Sequence, residues 1–336
     1  MGLVPCHSFC TAYDGLLGLQ FGDAALFAEL WKPLVHSLDN PVFVTAKGER
    51  FKVPPASQRW TQPLGKRVVI IDTDTRLDEA EERTMLHRDP LEYTGLPGRT
   101  GGHLNHYLYA LIHGYDYRLI KAPRYRERHG TWVKTAMMKE ALKTHDFVVS
   151  LDADAVLTHL NLPIEWLMNL WDVTPQTLIA MAEDIENDID FDSHGKLILN
   201  TGFMIALASE RSQDMMDLWE DCPNRISGCD KWKKQWAHEQ SAFSGYIRYV
   251  FNETNEVKNI PCNHANGNEY YDNGHGACQG VFVSHNWHTK EKTVEILSRS
   301  VMNTVVRRLH GQFQAEKGDL FIDGSKYTYP IENLPI

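Results

Sequence analysis

The stretch that most constrains this chain is Phe147-Val148-Val149-Ser150-Leu151-Asp152-Ala153-Asp154. Five residues rich in β-branched and aromatic side chains are too few for a stable helix and fit a central strand buried on both faces. The run ends in two carboxylates one residue apart. At a strand end, where the backbone turns, both can converge on one ion. Carboxylates in this spacing suit a hard cation such as Mg²⁺ or Mn²⁺, which keeps other positions for water and phosphate oxygens. The bland alternative is a pair of solvated turn aspartates. It loses weight because ligand sites in open α/β sheets lie at the carboxyl ends of strands.

A second run, Val68-Val69-Ile70-Ile71, ends in Asp72-Thr73-Asp74 and repeats the pattern. Between and after the two runs, strand and helix signals alternate. The pattern predicts strands at 116–121, 178–181, 197–207 (broken at Asn200-Thr201-Gly202) and 281–284. It predicts helices at 102–113, 132–143, 162–171, 210–220, 236–246 and 292–309. Alternation of this kind means an α/β fold with a mixed, mostly parallel central sheet and flanking helices. Residues 1–60 read as an N-terminal extension with one helix (23–38) and two short extended pieces (42–44 and 51–53). Residues 61–310 read as the main domain and 311–336 as a tail.

The chain has 336 residues and a formal net charge of −10. That balance, with no basic stripe beyond Lys231, Lys233 and Lys234, argues against nucleic acid as a partner. No run of 18 apolar residues is present, so no membrane span is expected. Residues 1–19 lack the basic and apolar regions of a signal peptide. The spacings Cys222/Cys229 and Cys262/Cys278 allow small disulfide loops in an oxidising compartment and are equally ordinary for free thiols.

Four further stretches carry a resemblance: Tyr109-Ala110-Leu111-Ile112-His113-Gly114-Tyr115; Trp132-Val133-Lys134 leading into Asp152-Ala153-Asp154; Asn200-Thr201-Gly202-Phe203; and His238-Glu239-Gln240-Ser241-Ala242. In this order, from about 67 to 290, they resemble retaining glycosyltransferases of the GT-A fold. The similarity is to the fungal and plant α-galactosyl-, mannosyl- and xylosyltransferase family related to fungal α-1,2-galactosyltransferase. The family closes with His-Phe-Ala-Gly-Cys where this chain has His285-Asn286-Trp287-His288, and its N-terminal membrane anchor has no counterpart here.

The resemblance implies a GT-A-like, Rossmann-like nucleotide-sugar transferase fold. It also implies metal-dependent transfer of a hexose, galactose foremost, to a glycan or small-molecule hydroxyl acceptor. The donor would be a nucleoside diphosphate sugar, UDP-linked in preference to GDP-linked. Asp152, Asp154 and His285 are expected to hold Mn²⁺ or Mg²⁺, with His288 as the alternative third ligand. Asp72, Thr73, Asp74, Trp132, Lys134, Ala153, Asn200, Thr201, Gly202, His288 and Lys290 are expected around the donor, and Glu239, Gln240 and Asp184 around the reacting sugar. A Golgi lumen location follows from the family, with the cytoplasm as alternative. Two rival readings stand beside it. The Asp-x-Asp pairs also look like the aspartyl nucleophile motif of haloacid-dehalogenase-type phosphatases, which additionally needs a positioned Lys. A non-catalytic sugar-binding module is the other.

Overall fold

A computed structural model describes residues 23–77, 84–187, 189–268 and 278–323. The strands are β1 (Val42–Val44), β2 (Arg50–Lys52), β3 (Val68–Asp74), β4 (Asp116–Lys121), β5 (Phe147–Leu151), β6 (Ala155–Leu157), β7 (Ile179–Glu183), β8 (Leu199–Leu207), β9 (Val257–Ile260) and β10 (Val283–His285). Six form the central sheet in the order β4-β3-β5-β8-β7-β9. Strands β4, β3 and β5 pair in parallel, as do β7 and β9, and only β8 runs against its neighbours. The sheet is therefore mixed and mostly parallel, as the alternating pattern predicts.

The uninterrupted apolar runs have a direct cause. Alternate residues feed two separate cores: Val68, Ile70, Phe147, Val149 and Leu151 pack on one face, and Val69, Ile71 and Val148 on the other. A sheet covered on both faces has no place for polar alternation. Helices Gly98–His113 and Ile164–Leu170 cover the first face, and Val133–Ala141 and Glu210–Glu220 the second. The first core also takes in Trp31, Phe43 and Val53, so residues 31–53 of the N-terminal extension share the main hydrophobic core.

Several expectations are corrected. The last strand, expected in or beside the sheet at 281–284, lies beside it at Val283–His285: β10 pairs antiparallel with β6 as a separate ribbon, because β6, directly after the Asp pair, offers an open edge. Strand β8 is continuous through Asn200-Thr201-Gly202. The glycine signal marks an irregularity in its pairing with β7, which shifts between Met181↔Met204 and Ala182↔Asn200. Edge strand β9 lies in a stretch read as loop, its half-polar Val257-Lys258-Asn259-Ile260 giving little apolar signal. The C-terminal helix runs Lys292–Leu320, past the expected end at Leu309 and across the 310/311 boundary.

The motif at 109–115 is structural. The Tyr109 hydroxyl donates to Leu162 O at 2.7 Å, and His113 Nε2–H to Leu160 O at 2.9 Å. Gly114 takes the left-handed φ of 71° that ends its helix. Burial lowers His113 and His159 from 6.5 to about 4. The unfolded chain binds both protons near pH 6.5 and the folded chain only near pH 4, so stability falls as pH drops through that window. Each histidine costs the fold roughly 3 kcal/mol at pH 4 relative to neutral pH, taking 1.4 kcal/mol per pH unit. Asp190, pushed up to about 6 by burial and by Asp184, opposes with a smaller, solvent-screened share. Thermal unfolding should therefore show a clear fall in Tm between pH 6.5 and 4; a flat profile would refute the buried neutral histidines.

Candidate metal and nucleotide site

The carboxyl end of β5 turns immediately. Asp152 N donates to Gly202 O at 2.9 Å and Ala155 N to Asp152 O at 2.8 Å, closing a tight turn that starts β6. The ribbon register places His285 opposite Ala155. This brings His285 Nε2 to 3.4 Å from Asp154 Oδ1 and 4.0 Å from Asp152 Oδ2. One ligand atom from each of Asp152, Asp154 and His285 lies within 4.8 Å of the others. Two carboxylate oxygens and one imidazole nitrogen form a donor set that Mn²⁺ accepts well and Mg²⁺ less readily. His288 is exposed and outside this cluster, so His285 is the histidine the fold brings to the pair.

Two glycines make room for the site. A Cβ on Gly202 would lie 2.2 Å from His285 Cε1, and one on Gly102 would lie 1.9 Å from Ala153 O. Gly202 thus gives the imidazole its space against β8, and Gly102 lets helix 98–113 pack directly on the turn between the carboxylates. Gly202→Ala should leave the fold recognisable while displacing His285, lowering Mn²⁺ affinity by about 10–100-fold, the usual scale for a disturbed ligand mount. Unchanged affinity in a metal titration would dismiss that role.

A cavity of about 490 Å³ opens in front of the turn. Its walls carry Asp72, Thr73, Asp74, Lys134, Asp152, Ala153, Asp154 and Lys290, all foreseen, together with Arg76, Arg99, His103, Arg124 and Arg128, which were not. The four arginines come from three separate segments, so no local run in the sequence announces them. Several charges on the wall are paired. Lys134 Nζ is 2.6 Å from Asp152 Oδ1 and 3.7 Å from Glu239 Oε1, and Lys290 Nζ is 3.2 Å from Asp154 Oδ2. Burial pushes the Asp154 carboxyl up, but His285 and Lys290 outweigh it and hold it well below the usual range. Thr73 Oγ1 is buried on this wall without a hydrogen-bond partner among the described residues.

The first carboxylate pair, expected at nucleoside contacts or in loop structure, also has firm partners within the protein. Asp72, 1% exposed, accepts from His106 Nδ1 at 2.8 Å and from the Tyr117 hydroxyl at 2.6 Å. His106 Nε2 faces Ala155 O at 2.5 Å. Both ring nitrogens meet acceptors, so His106 donates from both as an imidazolium; burial lowers its pKa, and Asp72 raises it further. Asp72 thereby braces the residue that follows the metal pair. Asp74 is taken up by Arg76 and Arg99.

Other candidates sit behind the wall. Trp132 is fully buried, with Nε1 donating to Trp232 O at 3.1 Å, and so cannot touch a ligand in the cavity. Glu239, 2% exposed, accepts from the Thr201 hydroxyl at 2.9 Å and from that of Thr131. Gln240 accepts from Thr201 N at 3.3 Å and donates to Asp184 Oδ2 at 2.8 Å. Asn200 donates to the same Asp184 oxygen at 3.3 Å and accepts from Gly202 N at 2.7 Å. These groups are linked to the wall through Lys134 and Thr201 and do not line it.

Compared with known proteins, the chain matches no family model and no curated protein. Among solved structures it is similar to a glycosyltransferase involved in glycosylation of the major capsid of PBCV-1, at 12% identity and a TM-score of 0.49. That match covers 69% of this chain and 98% of the other. The galactosyltransferase LgtC, solved with donor and acceptor sugar analogues, is 14% identical with a TM-score of 0.37, covering 69% of this chain and 95% of the other. Mouse xyloside xylosyltransferase 1 gives 11% and 0.39, covering 66% and 98%. At TM-scores below 0.5 these likenesses assign neither family nor activity.

Proposed function

We propose that the chain is a glycosyltransferase that moves a hexose, galactose foremost, from a nucleoside diphosphate sugar to a hydroxyl acceptor with retention. The observation that carries this reading is the Asp152–Asp154–His285 cluster, whose two carboxylates lie on the wall of a cavity ringed by six arginines and lysines. A protein of net charge −10 that concentrates cations there is built for an anion of the diphosphate class.

Asp152, Asp154 and His285 would hold a divalent ion, Mn²⁺ foremost, which supplies charge neutralisation to a departing diphosphate when bound. The protein's own contribution is positional and electrostatic. Lys134 and Lys290, now held by the carboxylates, are placed to exchange them for phosphate oxygens once the carboxylates are otherwise engaged. Arg124 and Arg128, on the wall formed by residues 124–134, extend the positive surface. The wall carboxylates are Asp72, Asp74, Asp152 and Asp154, and each is engaged by a cationic side chain. Among the described residues none is left as a covalent nucleophile, which favours same-face attack over double displacement. The reaction takes place outside the cytosol in this reading, since Cys222–Cys229 and Cys262–Cys278 form disulfides. No helix among the described residues is long and apolar enough to cross a membrane.

The test is incubation with a panel of UDP- and GDP-sugars in Mn²⁺, in Mg²⁺ and in chelator, without acceptor. Slow, metal-dependent hydrolysis of a UDP-hexose is expected. Donor binding of equal strength in chelator would dismiss the metal's role and favour a plain binding module. A trapped aspartyl-phosphate at Asp152 would establish the phosphatase chemistry instead, for which Lys134 is suitably close.

A further inference from the structure

We propose that Asn266 is the positioning residue that fixes the tautomer and aim of the metal ligand His285, an inference that rests on the metal reading above. Asn266 is almost fully buried, and its amide orientation is settled by its neighbours. Its Nδ2 donates to Glu183 O at 3.1 Å and to Asp184 Oδ1 at 3.0 Å, both of which can only accept. Its Oδ1 is thereby turned to His285 Nδ1, 2.9 Å away. An oxygen there requires Nδ1 to carry the proton. Nε2 is the ring nitrogen left to face Asp152 and Asp154, where in its unprotonated form it would offer its lone pair to a metal.

The two neighbouring residues complete the mount. Gly267 O accepts from His285 N at 3.0 Å, and Asn268 Nδ2 donates to His285 O at 2.9 Å. Three consecutive residues therefore hold the side chain, the amide and the carbonyl of one histidine. The Cys262–Cys278 disulfide ties this segment down, and Gly267 lies so close that a Cβ there would meet Cys278 O at 1.5 Å. Through Asp184 the same amide reaches Gln240 and Asn200, so ligand orientation and the inner wall are joined in one network.

The experiment is Mn²⁺ titration of the full chain followed by electron paramagnetic resonance, reading affinity and the ¹⁴N coupling of a bound imidazole. Asn266→Ala removes the acceptor and should weaken Mn²⁺ binding about 10–100-fold, the scale seen when a partner of a ligating histidine is lost, with the ¹⁴N coupling diminished. Asn266→Asp keeps an acceptor for Nδ1–H but loses the donor to both Glu183 O and Asp184 Oδ1, and it is made in an Asp184→Asn background so that no second carboxylate faces it. It should retain the ¹⁴N coupling and bind Mn²⁺ within a few-fold of wild type. Should the alanine variant fail to fold, a folded Asn266→Asp protein decides alone: retained coupling supports the proposal, and lost coupling overturns it. Wild-type affinity in Asn266→Ala, or equal loss in both variants, would overturn the positioning role while leaving the metal site standing. A wild-type chain that binds no Mn²⁺, or binds it without ¹⁴N coupling, would sink the metal reading itself and this proposal with it.

Discussion

On the proposed function, Asp154→Asn is expected to lower sugar transfer by about three powers of ten or more while leaving the fold intact. The substitution keeps shape and removes one of the two negative charges that face His285. Loss of several kcal/mol of charge stabilisation at a metal-assisted step corresponds to that factor, at 1.36 kcal/mol per power of ten. The fold should survive because the structural work of this residue is done by its backbone. Asp154 O accepts from Asn286 N at 2.7 Å and from Asn286 Nδ2 at 3.1 Å, and neither bond involves the carboxylate. The partner lost, Lys290, is more than half exposed, and such pairs add little stability. Steady-state transfer and thermal unfolding measured on the same preparation decide the matter. Asp72→Asn should behave oppositely: it strands the buried His106 imidazolium, and removing one partner of a buried pair costs about 3–5 kcal/mol. If Asp154→Asn stays active and an Asp72 variant folds normally but is dead, the catalytic pair has been misassigned.

The second large effect is expected at Lys134. Burial depresses its ammonium, and Asp152 and Glu239 more than restore it. Its Nζ also donates to Thr201 O and Oγ1, both at 3.2 Å. Lys134→Met leaves Glu239 buried without a cation, for about 3 kcal/mol of lost stability; the low end of the range applies because two threonine hydroxyls still bond that carboxylate. It also deletes a cation beside Asp152 on the cavity wall, so donor affinity and turnover should both fall. The double variant Lys134→Met/Glu239→Gln separates the two effects. Without the stranded charge, most of the stability should return, while activity should not. Recovery of both would make Lys134 a purely structural residue.

Much of this architecture was legible because local physics wrote it into the sequence. Apolar runs at 68–71 and 147–151 imply strands covered on both faces, and the paired aspartates mark their carboxyl ends. Gly114 punctuates a helix through its left-handed φ, while His285 as partner to Asp152 and Asp154 is an expectation from the resemblance. Other decisions belong to tertiary structure, because they join residues far apart whose meeting leaves no local pattern. The β6–β10 pairing sets His285 against Ala155 across 130 residues of chain. Burial turns Glu239 and Trp132 from candidate contacts into supports, and His106 commits Asp72 to the interior. Arg76, Arg99, Arg124 and Arg128 become one positive wall only when three segments pack together. Asn266 had no signal at all, since a hydrogen-bonded amide acquires its meaning from the three groups around it. Sequence periodicity reports which face of an element is buried; which elements then face each other depends on how the two cores close over the sheet.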